Sequence, residues 1–102
     1  MNWTEDKITM LFTNYRENKR EQKILGYNNE KTAFLEHCLK HLENYERDLL
    51  EKTMLEGISI RKYSKLSGFS RNFIAKQQRL LITQLTKIFN IKFSFDQPKA
   101  SN

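Results

Sequence analysis

The chain has 102 residues, a formal net charge of +6 and a pI near 9.6, which suits one domain with a modest core and leaves little room for a deep enzyme cleft. Its single cysteine, Cys38, excludes an intramolecular disulfide, and no apolar run approaches a membrane span or a signal-peptide core. A reducing cytoplasm is therefore the expected compartment, with no membrane partner, and the 3 Gly and 1 Pro point to an all-α chain.

Thr4 followed by Glu5 and Asp6 reads as an N-cap with acids in the first turn, and Ile8, Leu11, Phe12 and Tyr15 recur at helical spacing. A helix over about 5–23 is expected, its second half almost wholly polar. Gly26 and Asn28-Asn29 end it. A second helix over about 30–42 carries Ala33, Phe34, Cys38, Leu39 and Leu42 as its apolar stripe. Asn44 is the expected cap of a third, with Tyr45, Leu49, Leu50, Thr53 and Met54 inward and Gly57 as its stop.

Charge then changes character. Residues 1–56 hold nine Lys/Arg against eleven acids, a net of −2, whereas residues 57–95 hold eight Lys/Arg and no acid. Positive charge confined to one part of a chain points to a polyanion-binding face.

Within that stretch, Ser59 can cap a short helix ending near Leu66, Ser67-Gly68-Phe69 makes a turn, and Ser70 caps a long helix reaching about Phe89. Each position has a steric task. Ser64 is small where two steeply crossing helices meet, Gly68 tolerates positive φ, and Tyr63, Leu66, Phe69 and Ile74 supply the inward faces. This is the pattern of a helix-turn-helix, with about five helices in all.

The outward side chains at the start of the long helix are then Ser70, Arg71, Asn72, Ala75, Lys76 and Arg79. Arg71, Asn72, Ala75, Lys76 and Arg79 are the candidates for base reading, since Arg can bind guanine and Asn adenine bidentately. Ser59, Arg61, Lys62, Lys65 and Ser70 suit the phosphate backbone. The bland alternative is a solvated amphipathic face. After Asn90, Ile91, Phe93 and Phe95 alternate with a period of two, as in a short strand or arm. The segment from Leu80 to Phe95 is mainly apolar and reads as core or partner surface; disorder is expected toward the end.

The organisation expected is a single helical domain over 1–95 (1–29 N-terminal helix and linker, 30–57 support helices, 58–90 helix-turn-helix) with a flexible tail at 96–102. Trp3, Leu11, Phe12, Phe89, Phe93 and Phe95 either contact a dimer mate or polymerase, or close the core of a monomer. Catalysis finds no support. His37 and His41 are four apart on one helical face, but no further ligand has matching spacing and Cys38 points about 100° from His37. No metal and no cofactor are expected.

The stretch from about Leu42 to Leu85, opening with Leu42, Glu46 and Arg47 in an L-x-x-x-E-R element, resembles region 4 of bacterial sigma factors. It is more closely similar to the small ArpU/RinA-type late transcription regulators of phages, which put an extra helical segment before the same module. The resemblance implies a DNA-binding transcription regulator encoded by a phage or mobile element, with double-stranded DNA, and RNA polymerase or another transcription factor, as partners. Ser64, Ser67, Gln77 and Gln78 depart from the more apolar residues usual there. Two other readings stand beside it: a small terminase-like DNA-packaging subunit, and a protein-interaction module or inhibitor acting on a transcription factor or polymerase.

Overall fold

Thr4 stops the extended N-terminal residues by accepting a bond from the Lys7 N–H at 3.2 Å, and helix α1 (Glu5–Thr13) begins there. In this computed structural model the described residues are 2–27 and 29–93. All their regular structure is helical. No helix among them is long and apolar enough to cross a membrane.

The single helix expected over 5–23 is two. Thr9 and Thr13 each donate a hydroxyl bond to the carbonyl four residues back (2.9 and 3.0 Å), a contact that bends helices. Asn14, at φ −92° and ψ 8°, then separates α1 from α2 (Tyr15–Leu25). Gly26, at φ 74°, ends α2. Ile8 and Phe12 are buried in α1, whereas α2 buries none of its residues and is held beside the next helix by polar contacts. The Tyr15 hydroxyl donates to Glu36, and Lys19 pairs with Glu36 at 3.0 Å.

Asn29 caps α3 (Glu30–Lys40) by accepting from the Thr32 N–H. The expected stripe is rotated: Leu35 is buried with Cys38 and Leu39, while Ala33 is exposed. Helix α4 (Asn44–Leu50) has its cap one residue earlier than expected, so that Asn44 is its first residue. Glu43 is the N-cap, and Glu46 reaches back to the Glu43 N–H at 3.1 Å. Leu49 and Leu50 are fully buried, and Tyr45 is exposed rather than inward.

The helix then widens into a π-helical turn over Glu51–Leu55, where the Glu56 N–H bonds to the Glu51 carbonyl, five residues back. Gly57, at positive φ, ends it. Helices α5 (Ile60–Ser67) and α6 (Arg71–Phe93) follow.

Helix α6 is the spine. α1, α4 and α5 pack on it, and the π-helical turn sits against α1 and α5. Its buried stripe is Ile74, Leu81, Ile82, Leu85, Phe89 and Phe93. Leu80 and Ile88, in the segment read as core or partner surface, are exposed, and Ile82 is buried. Leu66 of α5 is likewise exposed, at 66%.

The strand or arm expected after Asn90 is instead the last turn of α6. Phe89 and Phe93 lie four residues apart on one face, which a helix aligns and a strand would not. They meet Phe34 at 5.0 and 5.6 Å and Trp3 at 4.8 and 6.0 Å between ring centroids. Asn90 clamps the N-terminus onto this end, accepting from the Trp3 N–H (2.7 Å) and donating to the Trp3 carbonyl (3.1 Å). Phe12, Phe89 and Phe93 are therefore core, not partner surface; Trp3 and Leu11 are half-buried against them. Phe95 and the tail over 96–102 lie outside the described residues.

Candidate nucleic-acid interface

Three residues, Gly68, Phe69 and Ser70, separate α5 from α6. Gly68 takes φ 86°, where a Cβ would be strained, and its N–H returns to the Ser64 carbonyl at 2.9 Å. The turn is then fastened by hydroxyls. Ser64 Oγ donates to the Phe69 carbonyl at 2.6 Å. Ser67 Oγ donates to the Tyr63 carbonyl at 2.8 Å and accepts from the Phe69 N–H at 3.1 Å.

Both helices are capped at their N-termini by serine. Ser59 Oγ accepts from the Lys62 N–H and Ser70 Oγ from the Phe73 N–H, each at 3.1 Å. Either hydroxyl keeps its proton for a further acceptor. Beneath the turn, the Phe69 and Phe73 rings lie 4.9 Å apart and Ile74 is fully buried.

Two polar ties fix this unit on the rest of the fold. The Tyr63 hydroxyl donates to Asp48 Oδ2 at 2.6 Å, joining α5 to α4. Gln78 Nε2 donates to Thr53 Oγ1 at 2.9 Å, joining α6 to the π-helical turn. Thr53 in turn donates to the Leu49 carbonyl at 2.6 Å, so the hydroxyl is used on both sides.

Ser59, Arg61, Lys62 and Lys65 on α5, and Ser70, Arg71, Asn72, Lys76 and Arg79 at the start of α6, are all exposed; Ala75 is half-buried. The fold thus brings the ten residues singled out from sequence to adjoining stretches of two helices. Among the described residues the ion pairs are Lys19–Glu36 and Lys52–Glu56, and neither involves a cation of this face. Among the described residues, the six guanidinium and ammonium groups of this face are exposed and have no carboxylate within ion-pair distance. Such a surface attracts a polyanion and releases its counterions on binding.

Sequence reasoning gave Ser64 only a steric task and noted Ser67 and Gln78 only as departures from more apolar residues, so the hydrogen bonds these three make were not foreseen. The available signal was that serine near a helix end competes for nearby backbone groups. The acid Glu5, which reaches Thr83 on α6 at 2.7 Å, had no local signal because 78 positions separate the two.

Elsewhere, the His37 and His41 rings lie 4.6 Å apart on α3, and burial pushes the Cys38 thiol up. Among the described residues no group of three or more His, Cys, Asp or Glu is arranged to hold a metal ion. Compared with protein-family models, curated proteins and solved structures, the chain matches none.

Proposed function

We propose that the chain is a sequence-specific double-stranded DNA-binding protein that regulates transcription, of the kind encoded by phages and mobile elements. In this reading α5, the turn at Gly68 and α6 act as a helix-turn-helix. The observation that carries it is the pairing of a hydroxyl-locked turn with six exposed, unpaired cations on its outward side.

The start of α6 enters the major groove, where Arg71 and Asn72 have the donor and acceptor patterns for guanine and adenine. Arg61, Lys62 and Lys65 on α5 lie along the phosphates, and the free protons of Ser59 and Ser70 donate to them. Lys76 and Arg79 extend the contact along α6. The resemblance of Leu42–Leu85 to sigma region 4 and to ArpU/RinA-type regulators supports a role in transcription rather than in DNA packaging.

The experiment is selection of bound fragments from a random duplex pool, followed by binding of Arg71→Ala and Lys65→Ala to the recovered site. Arg71→Ala is expected to lose roughly 1–3 kcal/mol on that site and to relax preference at one base pair. Lys65→Ala is expected to weaken all duplexes alike and to lower the salt exponent by about 1. A pool that yields no enriched sequence would overturn the sequence-specific reading.

A further inference from the structure

The acid-free run from residue 57 to residue 95 is interrupted in space by an acid from the other end of the chain. Glu5 opens α1, which packs on α6, and its Oε2 accepts from the Thr83 hydroxyl at 2.7 Å. On α6, Thr83 is in register with Asn72, Lys76 and Arg79 behind it and Lys87 ahead, since residues three or four apart share a helix face. Glu5, Arg79, Thr83 and Lys87 are all exposed. Thr83, which holds the carboxylate, lies about one helical turn from each flanking cation on α6, and among the described residues Glu5 forms an ion pair with neither.

A phosphate approaching Lys87 would meet this fixed negative charge, whereas one approaching α5 or the first turns of α6 would not. Building on the DNA-binding reading, we infer that Glu5 is a specificity-determining residue of that face: its carboxylate closes the basic stripe of α6 at Thr83 and suppresses sequence-independent binding. Contact is then confined to the end of α6 that reads bases. Without the fence, the stripe from Lys76 to Lys87 would hold any duplex lengthwise, because phosphate contacts carry no sequence information.

The test uses the full chain, a mixed-sequence duplex and the duplex recovered by selection, with binding followed by fluorescence anisotropy between 50 and 200 mM salt. Glu5→Gln keeps an acceptor for Thr83 and removes the charge. It is expected to bind the mixed duplex about fivefold tighter at low salt, the size of one close charge contact in water. Its gain on the selected duplex should be smaller, so the specificity ratio falls. Thr83→Val removes the hydrogen bond and keeps the charge, and is expected to gain less than half as much as Glu5→Gln.

Equal binding of Glu5→Gln and wild type to the mixed duplex would overturn the inference while leaving DNA binding intact. So would a Thr83→Val gain as large as that of Glu5→Gln, since tethering rather than charge would then be the cause. Wild-type protein that binds neither duplex overturns the underlying reading and this inference with it.

Discussion

Tyr63 links the turn to its support, because its ring is buried while its hydroxyl donates to Asp48. Burial, and then the bond and charge of Asp48, push this phenol up from its ordinary value to about 12. The folded value lies above that of the unfolded chain. The contribution of Tyr63 to stability is therefore whole below about pH 10 and is lost as pH rises through about 12. Tyr63→Phe should cost roughly 1 kcal/mol at pH 8. The difference between wild type and variant should then shrink as pH rises above 10 in urea titrations, and a gap that stays constant would contradict the assignment. Tyr15 is also raised, by burial and by Glu36, but Tyr63→Phe leaves it unchanged, so the comparison isolates the α5 phenol.

Among the helices, stability is distributed unevenly. Helix α6 buries six apolar residues and α2 buries none, and an isolated helix of 11 residues is marginal in water. Amide hydrogen exchange should show α2 opening at a free energy several kcal/mol below that of the centre of α6 around Leu81 and Leu85. Equal protection of the two would mean that the contacts of Glu36 with Tyr15 and Lys19 hold α2 far more firmly than surface ties usually do. The almost wholly polar second half of the helix expected over 5–23 corresponds to α2 and offers it few apolar residues to bury.

Sequence patterns were readable where one element decides its own structure. The serine caps at 59 and 70, the glycines that end helices, and the exposed cations all follow from local rules, and each holds. What stayed hidden depends on packing between distant segments. The alternation Ile91, Phe93, Phe95 has a strand's period, yet Phe93 is drawn into a helical face by Phe34 and Trp3. Ala33, Leu66, Leu80 and Ile88 are apolar and helical but face outward, because periodicity gives the width of a stripe and not which neighbour covers it. Ser64, Ser67 and Gln78 read as departures from the more apolar residues usual there. Their hydrogen bonds instead replace apolar contacts with fixed directions.

At the scale of the whole molecule, the asymmetry in charge becomes an asymmetry in space. The N-terminal half supplies Glu36, Asp48 and Glu5 as partners for specific hydroxyls and for Lys19. Among the described residues no cation of α5 or of the first turns of α6 is in an ion pair, while Lys92 near the end of α6 lies over the Phe34 ring. Three of the polar ties between distant segments run from an acid on the first half to a hydroxyl, so these ties use none of the positive charge of the proposed reading face, at the start of α6 and on α5.

That face is the central claim, and salt titration of duplex binding tests it most directly. Full-length protein and a 20-base-pair duplex carrying the selected site are titrated between 50 and 200 mM salt. With about five phosphate contacts, log affinity should fall linearly with log salt at a slope of about −4 to −5. Binding that is absent, or that does not change with salt, would contradict the account.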